Sequence, residues 1–359
     1  MEIHFFFSQE YLLDSFLFEN ENQMKNILVT GGAGFIGSNF INYILNKRDD
    51  YFIVNLDKLT YAGNLENLKP SEKKKNYRFV KGDIVNSELV DYIFQKYDIR
   101  YVINFAAESH VDRSISGSEI FYRTNVIGTN ILLEIARKYN TERFLQISTD
   151  EVYGSLGPEG LFTEATPLSP SSPYSSSKAA ADMMCQAFYN TYGTPVLITR
   201  CSNNYGSYQF PEKLIPLMII NCLNDKELPV YGDGMNVRDW IYVIDHNRAV
   251  ETVFENGKPG EVYNVGAENE MPNIKIVELI IEHLNKSKDI IKFVKDRPGH
   301  DRRYAIDAGK IKNELGWNPD FSFEQAIRDT IAWYIDNKKW WERIITGEYQ
   351  QYYKKQYSL

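Results

Sequence analysis

Two neighbouring carboxylates, Asp150 and Glu151, follow the hydroxyls Ser148 and Thr149 at the end of the apolar run Phe144–Ile147, and Gly154 lets the chain turn just beyond them. An isolated Thr-Asp-Glu is ordinarily a polar turn that caps the next helix. Here the preceding run reads as a buried strand, and carboxylates at the end of a core strand are costly to desolvate unless the site uses them. Adjacent acids that push each other's pKa apart suit a site needing one protonated and one ionised carboxyl. A second pair, Tyr174 and Lys178, is spaced four residues apart, which puts both on one face of a helix. A nearby ammonium favours the phenolate and lowers the tyrosine pKa towards that of a general base. The same Tyr-x-x-x-Lys spacing recurs at Tyr43, Tyr77, Tyr92 and Tyr334, where it reads as accident. Tyr174 is singled out by its proline start at Pro173, by its small neighbours, and by its place after the Ser148–Thr149 strand end.

Such groups need a scaffold, and the pattern upstream supplies one. The short apolar strand Asn26–Thr30 runs into Gly31-Gly32-Ala33-Gly34-Phe35-Ile36-Gly37, followed by a helical pattern to about Lys47. Glycines at 31, 34 and 37 permit a tight turn, a close approach to a pyrophosphate and close helix–strand packing, with helix amides facing the phosphate charge. A second strand, Tyr51–Leu56, ends in Asp57, 20 residues beyond Gly37. An acid there bonds a ribose 2′-hydroxyl and repels a 2′-phosphate, so NAD is favoured over NADP. Strands Tyr77–Lys81 and Tyr101–Phe105 continue the alternation, ending in Gly82-Asp83-Ile84 and in Ala106-Ala107. A long helical pattern spans about Glu119–Tyr139, and a sixth strand covers Pro195–Arg200. The rhythm predicts an α/β fold: a Rossmann-like, doubly wound parallel sheet with a smaller C-terminal substrate-binding lobe. The expected division is an accessory extension over 1–23, a dinucleotide-binding domain over 24–200 with segments near 236–265 as candidates to return to it, a lobe over 201–345, and a tail over 346–359.

Composition narrows the function class. The chain has 359 residues and a formal charge of −8, which argues against nucleic acid as its main partner. Its three cysteines, Cys185, Cys201 and Cys222, make no metal-ligand spacing, so no metal is expected, and an odd thiol suits a reducing cytoplasm. No signal peptide or stretch of membrane-spanning length is evident, so no membrane partner is expected. The dense basic loop Asp296–Tyr304 offers arginines suited to bidentate phosphate binding, although such loops are more often simply solvated. Arg238 carries the same ambiguity.

Together these residues resemble the extended short-chain dehydrogenase/reductase family and, within it, the dTDP-glucose 4,6-dehydratases. The similarity runs from about Met24 to Trp341. It is carried by Thr30–Ser38, Asp57–Asn64, Ala106–Ser114, Ser148–Gly154, the Tyr174/Lys178 helix, Arg200–Gly206 and Asp296–Tyr304. The glycine and Tyr-x-x-x-Lys motifs mark only the superfamily; the Asp150–Glu151 pair is specific, since related epimerases lack it. The resemblance implies a tightly bound NAD that is regenerated in each turnover, a dTDP-glucose substrate and a homodimer through the Glu119–Tyr139 and Tyr174–Tyr192 helices. It makes Thr149, Asp150, Glu151, Tyr174 and Lys178 catalytic. The NAD contacts it implies are Gly31, Gly34, Phe35, Ile36, Gly37, Asp57, Lys58, Leu59, Thr60, Asp83, Ile84, Ala106, Ala107, Ser109, Thr124, Tyr174, Lys178 and Asn204. The nucleotide-sugar contacts are Ser109, Thr149, Asn203, Lys213, Leu214, Pro229, Tyr231, Arg238, Asn273, Arg297, His300 and Tyr304, with the two arginines as candidates for the diphosphate. An epimerase would not need the acid pair, and a non-catalytic NAD-binding regulator would be expected to have lost Tyr174, Lys178 or an acid.

Overall fold

The computed structural model describes residues 24–346. The expected extension 1–23 and all but the first residue of the expected tail lie outside them. The first half of the chain is built from β1 (Lys25–Thr30), α1 (Phe35–Lys47), β2 (Tyr51–Asp57), β3 (Tyr77–Lys81), α2 (Ser87–Tyr97) and β4 (Tyr101–Asn104). It continues through α3 (Val111–Ser116), α4 (Glu119–Phe121), α5 (Thr129–Lys138), β5 (Arg143–Thr149), α6 (Pro173–Tyr192) and β6 (Val196–Cys201). Then come β7 (Asn203–Tyr205), α7 (Leu214–Leu223), β8 (Leu228–Tyr231), β9 (Val237–Tyr242), α8 (Val243–Asn256) and β10 (Val262–Val265). The described residues end with β11 (Glu270–Pro272), α9 (Asn273–His283), β12 (Ile291–Val294), α10 (Gly309–Leu315), α11 (Phe323–Asp336) and α12 (Lys338–Ile344).

Seven strands form one sheet in the order β10-β6-β5-β4-β1-β2-β3, and every pairing in it is parallel. Its central strands are apolar on both faces because helices cover both, as parallel sheets require. Ile27 and Val29 face one core with Phe40, Ile44 and Phe254, while Leu28, Val54 and Val102 face another with Phe94, Leu133 and Phe188. A third core joins α7, α9, α11 and α12 through Met218, Ile276, Ile280, Ile327 and Trp341.

Two local outcomes differ from the sequence pattern. The single helical run expected over Glu119–Tyr139 is interrupted by a π-helical stretch, Tyr122–Gly128, between α4 and α5. The buried Asn125 in that stretch is turned inward to bond the backbone of Glu108. β5 begins at Arg143, one residue before the apolar run, and takes in the Ser148–Thr149 end as expected, while the acids read as a polar stretch open a 3-10 turn, Asp150–Tyr153. Helix α6 begins as its sequence suggests: Ser172 and Ser175 form a reciprocal capping box around Pro173, and Gly193 ends the helix in the left-handed region.

Candidate active site

The carboxyl ends of β1, β2, β4, β5 and β6 open onto one cleft, the place where ligands sit in sheets of this kind. Its floor is the glycine loop. Gly31 has φ +69°, and a Cβ there would come within 2.6 Å of the Ala106 amide nitrogen. A Cβ on Gly37 would meet the Gly31 carbonyl oxygen at 2.5 Å, so α1 packs directly on the turn. Asp57 is held at the end of β2 by two amides: Ala33 N–H donates to Oδ2 and Leu59 N–H to Oδ1, both at 2.8 Å. Burial raises the Asp57 pKa and these two bonds oppose the rise. Lys58 pairs with Asp83 at 2.6 Å. The cradle shaped by Gly31 and Gly37, with a backbone-anchored acid beside it, fits a dinucleotide with a free ribose 2′-hydroxyl.

At the end of β5, Thr149 organises the acids. Its hydroxyl accepts the Glu151 amide and donates to Asp150 Oδ1, both at 3.3 Å. Asp150 Oδ2 is buried with no partner. Burial, and then the charges of Glu151 and Asp239, hold the Asp150 pKa well above the ordinary carboxyl value. Glu151 is also raised by burial, but Arg297, Arg238 and Lys213 counter that rise. The two acids therefore sit in unequal surroundings, which favour the proton on Asp150 over Glu151.

Tyr174 and Lys178 reach the same place from α6. Tyr174 packs edge-on against Phe121 and lies within hydrogen-bonding reach of Thr149. Lys178 Nζ donates to the Ile147 carbonyl at 2.6 Å. The expected lowering of the tyrosine pKa by this ammonium is not found. Burial and the negative charge of Glu151 push the Tyr174 phenol well above its usual value, and burial lowers Lys178. The lysine is turned to a backbone carbonyl instead of the phenol.

All five expected catalytic residues line this cleft, as do all the expected NAD contacts except Leu59, which packs against the core at φ +56° while its amide holds Asp57. Of the expected nucleotide-sugar contacts, Ser109, Thr149, Asn203 and Lys213 also line it, and Lys213 Nζ donates to the Ser109 carbonyl at 3.1 Å. The others stand apart from its lining. Arg238 donates to the carbonyls of Val237 and Asp301 at 2.7 and 2.9 Å, with its guanidinium 4.2 Å from the Tyr304 ring centroid. Arg297 donates to Asp112 Oδ1 at 3.1 Å, and Tyr231 donates to Asp112 Oδ2 at 3.2 Å. His300 pairs with Asp296 at 2.6 Å and packs edge-on against Tyr231. Both arginines therefore bond protein groups, and Arg297 Nε is buried without a partner. Asn273 likewise keeps a buried, unpartnered Oδ1. Leu214 opens α7, and Pro229 pairs with Lys292 inside a strand.

Several contributors were not singled out by sequence reasoning. Asp112, four residues past Glu108 in the motif after β4, joins Arg297 to Tyr231. His246, on α8, bonds Asn204 Oδ1 through Nδ1 at 2.8 Å; burial lowers its pKa to about 3, so it stays neutral and donates. Glu108, Phe210 and Glu212 line the cleft, and only Glu108 sits in a motif the sequence made conspicuous.

A parallel sheet with a glycine cradle, an acid on the second strand and a helix-borne Tyr/Lys pair defines a dinucleotide-dependent enzyme of the short-chain dehydrogenase/reductase type. Comparison with known proteins gives the particular family. The model of the family described as GDP-mannose 4,6 dehydratase matches residues 28–330. A probable dTDP-glucose 4,6-dehydratase of Sinorhizobium fredii is 52% identical over 342 residues, covering 90% of this chain and 97% of the relative. The crystal structure of a dTDP-glucose 4,6-dehydratase from Bacillus anthracis in complex with NAD matches with a TM-score of 0.84 and 55% identity, over 89% of this chain and 99% of that one. A dTDP-glucose 4,6-dehydratase from Streptomyces venezuelae, crystallised with NAD, matches with a TM-score of 0.87 and 45% identity, over 89% and 99% of the two chains. The chain belongs to the nucleotide-sugar 4,6-dehydratase family, among its dTDP-glucose 4,6-dehydratases.

Proposed function

We propose that this chain converts dTDP-glucose to dTDP-4-keto-6-deoxyglucose and water, a hydro-lyase step in deoxysugar nucleotide biosynthesis. The observation that carries the reading is the unequal acid pair, Asp150 and Glu151, set beside Tyr174 and Lys178. NAD, when bound, would supply the acceptor for the hydride lost from C4 and later the donor of that hydride to C6. Gly31, Gly34, Gly37 and Asp57 would hold it. Tyr174, within reach of Thr149 and four residues before Lys178 on the same helix, takes the proton of the sugar 4-hydroxyl once it is ionised. The resulting 4-ketone acidifies the C5 proton, and Glu151, ionised, removes it. Asp150, protonated, delivers its proton to the 6-hydroxyl as that group leaves as water. Returning a proton to C5 completes the turnover, and Glu151 then holds a proton to give.

The division of labour we propose assigns 24–200 to the cofactor and 201–345 to the nucleotide sugar, with β10 completing the sheet. We further propose a homodimer through α4–α5 and α6; the exposed apolar side chains Ile127, Met183, Tyr189 and Tyr192 carried by these segments support it. A cytoplasmic setting is supported by three buried, unpaired cysteines. Among the described residues no helix is long and apolar enough to cross a membrane. The test is turnover with a panel of nucleotide-glucoses. The expected outcome is a 4-keto-6-deoxy product from dTDP-glucose without net NADH; formation of the galactose epimer instead would refute the role given to the acids.

A further inference from the structure

Beneath the cleft lies a buried ion pair that the mechanism above does not use. Asp182 sits on α6 four residues past Lys178 and eight past Tyr174, on the same helix face. Its Oδ2 accepts from Arg200 Nε at 2.8 Å, and the two side chains are 0% and 2% exposed. Arg200 lies on β6, in register with Ser148 of β5. Its second contact runs the other way: NH1 donates to the Tyr153 hydroxyl at 2.9 Å, with the guanidinium 4.9 Å from that ring's centroid. Tyr153 closes the 3-10 turn that Asp150 and Glu151 open, and its hydroxyl donates to Asn264 Oδ1 on β10 at 2.8 Å. Asn264 is tied in turn to the Phe162 carbonyl at 3.0 Å, and the Tyr153 ring stacks on Phe162 at 5.0 Å.

One guanidinium therefore touches both the helix that carries Tyr174 and Lys178 and the turn that carries Asp150 and Glu151. None of Asp182, Arg200, Tyr153 and Asn264 lines the cleft. Stability alone is a poor account of this arrangement, because apolar residues of similar volume often replace a buried ion pair without loss. What a directional network does supply is a fixed distance between two segments. The proposed reaction needs such a distance: a proton leaves the 4-hydroxyl through one segment and water leaves C5–C6 through the other, on one sugar that is not released between steps.

We infer that Arg200, with Asp182 and Tyr153, is a positioning residue that sets the register between the Tyr174/Lys178 helix and the Asp150/Glu151 turn, so that loosening it uncouples hydride removal from loss of water. The inference rests on the dehydratase reading, and the two fail differently. If wild-type protein forms no 4-keto-6-deoxy product, the reading of the activity falls and this inference with it. If wild type forms the product, the variants decide.

The informative variant is Tyr153→Phe, which removes one hydroxyl and keeps the ring on Phe162; Arg200→Lys is the companion. In single turnovers with dTDP-glucose, NADH absorbance reports hydride removal and quenched samples report the dehydrated product. Tyr153→Phe is expected to leave hydride removal within about twofold of wild type while loss of water slows by about ten- to a hundredfold, since a misplacement of about 1 Å can cost that much. NADH absorbance then accumulates where wild type shows little. Asp182→Asn loosens the other end and is expected to slow hydride removal more than loss of water. Equal slowing of both steps in Tyr153→Phe, or no slowing of either, would overturn the inference, because a merely structural role lowers stability without shifting the partition. Should Arg200→Lys fail to fold, Tyr153→Phe alone decides.

Discussion

Asp150 and Glu151 are neighbours in sequence to which we assign opposite duties, and the assignment rests on their surroundings. Asp150 is buried, holds an unpartnered Oδ2 and faces the charges of Glu151 and Asp239; Glu151 feels three cations. The sign of the consequence can be worked out. A carboxyl whose folded pKa lies above its unfolded value binds its proton more tightly in the folded state. Stability is then lost as pH climbs from the unfolded carboxyl range, near 4, through the folded value. Asp150→Asn carries no such penalty. Its melting temperature should match or fall below that of wild type near about pH 4 and rise above it as pH approaches about 8, a difference that grows with pH. The same variant lacks the proton for the departing hydroxyl, so loss of water should slow by about a hundredfold or more. Thermal melts across that pH range and a turnover assay check both arms; a melting difference independent of pH would show that Asp150 is not held protonated.

At the scale of elements, the π-helical stretch shows what a single sequence conceals. Asn125 Oδ1 accepts the Glu108 amide at 2.9 Å, and Nδ2 donates to the Glu108 carbonyl at 3.0 Å and to Ser177 Oγ at 2.8 Å. It thus clips the cleft-lining loop after β4 to α6. Asn125→Ala breaks all three bonds and strands buried groups, so a loss of about 2–4 kcal/mol is expected by denaturant unfolding, at about 1 kcal/mol for each bond. The regular elements were readable because they rest on local rules: apolar runs for β1, β2 and β5, glycine spacing before α1, and the Pro173 start of α6. The π insertion was not, because an extra residue in a helical turn leaves the apolar period nearly intact and is decided by a partner, Glu108, in another element. The acids and the Tyr/Lys pair were visible for their chemistry. The commitment of Arg297 to Asp112 was not, since those residues are brought together only by packing between the sheet and the lobe.

At the scale of the whole molecule, α12 reaches back to the glycine loop. Trp340 of α12 donates its indole N–H to Asn67 Oδ1 at 2.9 Å, 273 residues away in sequence. Asn67 Nδ2 in turn donates to the Ala33 carbonyl at 3.1 Å, and the Asn64 amide reaches the same oxygen at 2.9 Å. Ala33 is also the residue whose amide holds Asp57. The third core therefore braces the dinucleotide cradle from behind, and Arg343 pairs with Glu66 beside the same turn. Trp340→Phe keeps most of the apolar contact but leaves Asn67 Oδ1 buried and unpaired, at a cost of about 1–3 kcal/mol. The melting temperature should fall by a few degrees, about 2–4 °C for each kcal/mol in chains of a few hundred residues. A purely structural brace predicts nothing more. A brace on the cradle predicts that dinucleotide retained per protomer after desalting falls as well, and that added NAD recovers both the retention and part of the melting loss by mass action. Dinucleotide released on denaturation is the quantity to measure. Retention equal to wild type alongside a lowered melting temperature would confine the role of Trp340 to the core of the lobe.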